Sequence, residues 1–371
     1  MSQGIKVEER FMARAVELAK RASGKTHPNP LVGALIVESG EIVAEGWHHA
    51  AGEPHAEVEA IRSLGRPPSL DAILYVTLEP CSTTGRTGAC TDAIRRSGIK
   101  KVVVGANDPN PAHAGRGLEL LRQNGVEVAG GVMEEACIDL NLIFNHWIQE
   151  KTCFLAMKIA TTLDGKFCAA NGSSKWITGE KARGDVMQWR RYFPAIAVSA
   201  RTLLADNSSL TVRIGDQVDC PRRFVLDRDL STLSVADQLK VYNDDFFKRT
   251  TVVCSQFADH SLKQAALDRK LTLWELPEIR NHLDFDALRA RFDEEGIVGV
   301  YFETGPRLTT ALLEDRKVNY LFHYLAPKYQ SDAASGGIGS HRQTQSMDAS
   351  IPLRDVQHLS LGDDFLIRGH V

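Results

Sequence analysis

The chain has 371 residues, 43% of them hydrophobic and 25% charged, with a formal net charge of −3. That length is too great for one hydrophobic core, so two domains are expected. The balanced charge gives no support to a polyanion-binding surface, no apolar run approaches the roughly 20 residues of a membrane span, and seven scattered cysteines make a poor disulfide framework.

Val7, Phe11, Ala15, Leu18 and Ala22 recur at helical spacing with charges between them. This predicts an amphipathic first helix rather than a signal peptide, and a cytoplasmic protein. Residues 31–46 hold two apolar segments around Ser39-Gly40, a hairpin signal. A helix is expected over "EPHAEVEAIRSLG", with Pro54 in its first turn and Gly65 past its end. Next come a buried strand in "AILYVTLEPC", a short helix in "TDAIRRSG", a strand in "KVVVGA", and a helix and strand in "GRGLELLRQNGVEVAGG". One apolar helix across Glu134–Trp147 closes this half. The alternation predicts a layered α/β domain over residues 1–150. From 151 to 371, "FLAMKIATTLDG", "AIAVSA", "RRFVLD", "TTVVCS" and "IVGVYFE" supply strands, and "GEKARGDVMQWRR" a helix. The polar, glycine-rich stretch 330–350 reads as a surface loop.

The chemistry concentrates around "PHAEVEA" and "EPCSTTGRTGAC". His55 and Glu57 fall at a helix start, from which side chains point back beyond the helix end. Cys81 ends a strand, and Cys90 precedes the next helix, where a thiol's pKa is lowered. One imidazole and two thiolates leave a fourth zinc position open, the catalytic pattern; structural sites close with four protein ligands. Zinc lowers the pKa of bound water to roughly 7, and Glu57 is placed to carry its proton to a leaving amine. The zinc-deaminase signature H-x-E…P-C-x-x-C is matched by His55-Ala56-Glu57 and Pro80-Cys81, but eight residues separate the cysteines instead of two. His48 and His49 compete as ligands; adjacent at a strand end, they are weighted toward surface or substrate contact.

The longer cysteine loop, together with "THPNPLVGALIV", "GEPHAEVEA" and "NDPNPAHAGRGLELL", resembles the bifunctional deaminase/reductases of riboflavin biosynthesis (RibD type). "KIATTLDGK", "SSKWIT", "RTLLADNSSLTVR" and "FETGPRL" continue the match in family order, so it covers nearly the whole chain, weakening across roughly 230–295 and 330–360. The resemblance implies a three-layer, cytidine-deaminase-like N-terminal domain and a dihydrofolate-reductase-like C-terminal one. It implies zinc-dependent deamination of 2,5-diamino-6-ribosylamino-4(3H)-pyrimidinone 5′-phosphate, then NADPH-dependent reduction of the ribosyl group to ribityl. His55, Cys81 and Cys90 match the zinc ligands, Glu57 the proton shuttle and Asn29 a substrate contact. Thr83 and Gly88-Ala89 stand where the family has a histidine and Pro-Pro, leaving Arg86 for the phosphate. Phosphorylated pyrimidines are the implied partners, in a homo-oligomer, without nucleic acid or membrane.

No G-x-G-x-x-G follows a strand in the second half, which argues against a Rossmann domain but not against nicotinamide. "IVGVYFETGPRLTTALLE" is instead a strand, a Gly-Pro turn and a helix whose first N–H groups suit a pyrophosphate. By resemblance, Ala160, Trp176, Thr202, Asp206, Gly305, Pro306, Arg307 and Leu308 line NADPH. Ser174, Arg190, Leu210, Arg213 and Glu303 match substrate positions in the same way. Lys158, a lysine inside an apolar strand, wants a partner. It either faces the reacting ribose with Glu303 or forms a structural salt bridge. Arg228, after "RRFVLD", either pairs with the 2′-phosphate of NADPH or is a solvated charge.

Overall fold

The structure, a computed structural model, describes residues 5, 7–83, 88–337 and 344–371. It separates into two compact units, Met1–Lys151 and Thr152–Val371.

Unit 1 runs α1 (Glu9–Lys20), β1 (Gly33–Glu38), β2 (Glu41–Trp47), α2 (Ala56–Leu64), β3 (Ile73–Leu78), α3 (Cys90–Ser97), β4 (Lys101–Ala106), α4 (Arg116–Gln123), β5 (Glu127–Ala129), α5 (Glu134–Asp139) and α6 (Leu142–Glu150). Its five strands pair in the order β2-β1-β3-β4-β5. The hairpin and the β1/β3 pair are antiparallel, whereas β3, β4 and β5 are parallel. Ser39 and Gly40 both take positive φ, as a tight hairpin turn demands.

Two glycines show how the layers close. A Cβ on Gly33 would lie 2.0 Å from Ala15 O of α1, and one on Gly46 would lie 2.5 Å from Ala56 O of α2. Gly46 faces Ala34 across the hairpin, so it shares a sheet face with Ala34 and not with its neighbour Gly33. The two helices therefore cover opposite faces, giving three layers.

The closing helix differs from expectation: it is broken into α5 and α6 at Leu140-Asn141. Asn141 is buried, and its amide accepts from Leu31 N (2.7 Å) and donates to Leu31 O (3.0 Å). Satisfying that distant backbone takes Asn141 out of helical geometry. Val7 also falls outside its expected helix, before Glu9, and is exposed.

Unit 2 runs β6 (Phe154–Thr162), α7 (Glu180–Tyr192), β7 (Ala195–Ser199), α8 (Ala200–Asp206), β8 (Val212–Ile214), β9 (Gln217–Asp219), β10 (Arg222–Leu226), α9 (Lys240–Asn243), β11 (Thr250–Ser255), α10 (His260–Asp268), β12 (Thr272–Leu276), β13 (Glu278–Ile279), β14 (His282–Leu283), α11 (Phe285–Glu294), β15 (Gly299–Glu303), α12 (Pro306–Glu314), β16 (Tyr320–Ala326), β17 (Arg354–Leu361) and β18 (Asp364–His370). Nine strands form one sheet, β12-β11-β10-β7-β15-β6-β16-β18-β17. The first seven in that order are parallel; β18 and β17 close the edge antiparallel. Both faces are packed, one under Phe224, Phe292, Phe302 and Leu312, the other under Val198, Leu203, Val225 and Leu233. Because β15 arrives late in sequence yet sits between β7 and β6, the ends of these strands converge where connections diverge to either side, the usual ligand position of such sheets. Of the loop expected over 330–350, the described residues include a bridge from Gly337 to Lys166 and a 3-10 turn at Met347–Ala349.

Candidate active sites

In unit 1, the helix expected to contain Pro54 begins instead at Ala56, with His55 as its extended N-cap residue (φ −75°, ψ 161°). This explains why positions i and i+2 converge: His55 leaves from non-helical backbone, while Glu57 already belongs to the first turn. Cys81 lies in the loop three residues past β3, and Cys90 is the first residue of α3. The Cys90 N–H donates to Cys81 Sγ (3.3 Å), and the Thr91 N–H donates to Cys81 O (3.2 Å), so the start of α3 holds the Cys81 loop.

One potential ligand atom each from His55, Cys81 and Cys90 lies within 4.8 Å of the others. His55 Nδ1 stands 3.1 Å from Cys90 Sγ and 3.6 Å from Cys81 Sγ. The Cys90 thiol, then the His55 imidazole and the Cys90 N–H, hold the Cys81 thiol down to about 4 against burial. Cys90 is pushed up by Cys81 and by burial, so one thiol of the pair gives up its proton readily. Glu57 is 3% exposed, and burial, then the Cys81 charge, push its carboxyl up to about 7. A buried carboxyl beside three soft and borderline ligands fits hydrolytic zinc chemistry.

Asn29 comes to the same neighbourhood through His48. The His48 Nδ1–H donates to Pro54 O (3.0 Å), which leaves Nε2 to accept from the Asn29 amide (3.2 Å). His48 is 3% exposed, so of surface or substrate contact the surface reading is corrected: it is a buried strut. Burial lowers its pKa, favouring the neutral ring that this pairing requires. Arg86 lies outside the described residues.

In unit 2, Lys158 and Glu303 face each other in the parallel β6/β15 register. They do not form the salt bridge considered from sequence. Glu303 is instead gripped by Arg190 through two bonds (2.5 and 2.8 Å), and Arg190 Nη1 donates to Thr211 O. Burial opposes the Glu303 charge, but Arg190 prevails and holds its carboxyl below the usual range. The guanidinium fork expected to reach substrate phosphate is therefore occupied by a carboxylate. Lys158 Nζ has no hydrogen bond or ion pair among the described residues, and burial lowers its pKa.

At the neighbouring strand ends, α12 starts with Gly305 as N-cap and Pro306 first, leaving its initial N–H groups free of any side-chain cap. A Cβ on Gly305 would lie 3.0 Å from Thr202 Oγ1, so the starts of α8 and α12 are side by side. Ser174 Oγ donates to Asp206 at the end of α8 (3.0 Å), while Trp176 is exposed with Arg183 over its ring. The Leu210 side chain is fully buried in the core, leaving its backbone to meet a ligand. Arg213 is exposed on β8. Arg228 is engaged by Asp229 and Asn281.

Residues 153–367 match the family described as RibD C-terminal domain, and residues 5–106 match the cytidine and deoxycytidylate deaminase zinc-binding region. The chain is 40% identical over 366 residues to the riboflavin biosynthesis protein RibD of Actinobacillus pleuropneumoniae, covering 96% of this chain and 93% of that one. This chain belongs to the RibD family. A RibD relative from Escherichia coli is 38% identical over 89% of this chain and 90% of its own. The solved Thermotoga maritima RibD-type deaminase/reductase superposes with a TM-score of 0.77 at 33% identity, covering 98% of each chain. Acinetobacter baumannii RibD gives 0.75 at 31% identity, again over 98% of each. As a RibD protein, it is a bifunctional enzyme of riboflavin biosynthesis, with a cytidine-deaminase-like unit followed by a reductase unit. No helix among the described residues is long and apolar enough to cross a membrane.

Sequence reasoning missed His48 as a strut and Arg190 as the partner of Glu303. A carboxylate on an apolar strand near a helix ending in two arginines was the only available signal for the latter.

Proposed function

We propose that unit 1 holds one zinc ion through His55, Cys81 and Cys90 and deaminates 2,5-diamino-6-ribosylamino-4(3H)-pyrimidinone 5′-phosphate, and that unit 2 uses NADPH to reduce the ribosyl group of 5-amino-6-(5-phosphoribosylamino)uracil. The observation that carries this reading is the ligand triad within 4.8 Å, with Glu57 buried beside it. The Thermotoga relative is described as a diaminohydroxyphosphoribosylaminopyrimidine deaminase and 5-amino-6-(5-phosphoribosylamino)uracil reductase, which agrees.

Bound there, zinc supplies a water activated at neutral pH. Glu57, buried beside the ligands, would carry a proton on its carboxylate from the attacking water to the departing ring amine. Asn29, oriented by His48, presents its remaining polar groups to the pyrimidine, and Arg86 takes the phosphate. In unit 2, the free N–H groups of Arg307 and Leu308 beside Gly305 and Pro306, with Thr202, Asp206, Ala160 and Trp176, hold the dinucleotide. Ser174, the Leu210 backbone and Arg213 contact substrate, and the Arg190–Glu303 pair shapes the pocket. The Lys158 amine, without a hydrogen bond or ion pair among the described residues and 6.0 Å from the Tyr324 ring, manages a proton at the reacting ribose. A homo-oligomer acting in the cytoplasm, without nucleic-acid or membrane partners, is the expected setting.

Purified protein given the diaminopyrimidine should release ammonia with or without NADPH, and should oxidise NADPH only after deamination. Ammonia release from cytidine but not from this phosphate would overturn the assignment.

A further inference from the structure

Glu79 immediately precedes the Pro80-Cys81 pair, yet its side chain is not among the clustered ligand atoms of His55, Cys81 and Cys90. It is 6% exposed, and no cation pairs with it among the described residues. Its carboxylate instead accepts three backbone N–H groups, from Asp108 (3.2 Å), Gly115 (2.9 Å) and Gly117 (2.8 Å). A buried carboxylate so satisfied is a strong fastening, because each bond is charge-assisted.

What it fastens is the segment between β4 and α4. That segment is otherwise tied together by short-range bonds: Asn110 N–H to Asp108, Ala112 N–H to Asn110, and Arg116 N–H to His113 O. The N-cap of α4 is Gly115, which offers no side chain, so Glu79 supplies the cap from a distant strand end. The join is close: a Cβ on Gly117 would lie 2.1 Å from Pro80 O. The segment thus sits directly against the backbone that carries Cys81.

We infer that Glu79 is a positioning residue of the deaminase: it clamps residues 108–117 as a wall beside the zinc site and thereby sets affinity for the pyrimidine. The inference rests on the deaminase reading of unit 1. Glu79 acts on the wall and not on the metal, so KM and not kcat should respond.

In the full-length zinc enzyme, Glu79→Gln replaces one acceptor oxygen with an NH2 group that cannot accept. We expect KM for the diaminopyrimidine to rise about tenfold or more, for a loss comparable to one charge-assisted hydrogen bond. Zinc content should be unchanged and kcat should stay within about threefold of wild type. Reduction of externally supplied 5-amino-6-(5-phosphoribosylamino)uracil should also be unaffected. Glu79→Asp, which keeps the charge but shortens the reach, should give a smaller rise. Hydrogen exchange tests the clamp without any variant: the Asp108, Gly115 and Gly117 amides should be protected in wild type, and fast exchange at all three overturns the inference. Loss of zinc or of kcat in Glu79→Gln overturns it too, placing Glu79 in support of Cys81. If wild type releases no ammonia, the deaminase reading falls and this inference with it; if wild type is active, an unchanged KM overturns this inference alone.

Discussion

In the proposed mechanism, deamination turns on Glu57. Glu57→Gln should keep zinc by metal analysis and lose about 10²–10⁴-fold in ammonia release, because a proton carrier is removed and no ligand is. His55→Ala or Cys81→Ala should lose metal and activity together. Glu57, His55, Cys81 and Cys90 could be picked out in sequence because ligand chemistry is written in side-chain type, and an N-cap followed by a helical turn reconciles His55 with Glu57. His48 was not legible: two adjacent histidines look alike until one is seen donating to Pro54 O. The reductase gives a sharper separation. Glu303→Gln would leave the Arg190 guanidinium buried without its counter-charge, at a cost of about 3–5 kcal/mol, so its lost activity would be mixed with lost stability. Lys158→Met removes an amine that has no hydrogen bond or ion pair among the described residues, gives up its 6.0 Å approach to the Tyr324 ring, and keeps most of the volume. It should abolish NADPH oxidation while thermal stability holds or rises and ammonia release is unaffected.

At the scale of elements, alternation and turn residues were enough to read the hairpin at Ser39-Gly40, the alternating strands and helices of a layered α/β unit, and the stop of α2 at Gly65. The break between α5 and α6 was hidden because its cause, Leu31, lies 110 residues away in sequence. Apolar periodicity runs through that break unaltered, so no local pattern could report it. Asn141→Ala would strand the Leu31 N–H and C=O in the core and should destabilise unit 1 by about 1–3 kcal/mol, read by chemical denaturation. Arg190, on a largely charged helix, and Glu303, at the end of an apolar strand, were named through the resemblance, but their pairing depends on α7 reaching the end of β15. Only the packed sheet brings that about.

For the whole molecule, the division at Lys151 predicts separable activities: Glu57→Gln should still reduce deaminated intermediate supplied externally. The acid limit of unit 2 has a visible contributor in His323, which meets Thr161 Oγ1 at 2.8 Å and is driven by burial from 6.5 down to about 4. Between these values the unfolded chain takes up a proton that the folded one refuses. Stability should therefore fall as pH drops from about 6.5 to 4, by about 2 kcal/mol after allowance for partial exposure, and His323→Gln should flatten that slope in pH-dependent denaturation. The placing of β15 has a consequence for how the protein is made. Synthesis from the N-terminus completes unit 1 long before β15 emerges, whereas β6 and β7 must wait, their inner edges bare, for the strand that joins them. Nascent chains stalled between residues 200 and 298 should be sticky, and holdase chaperones should raise the soluble yield of the full chain far more than that of residues 1–151.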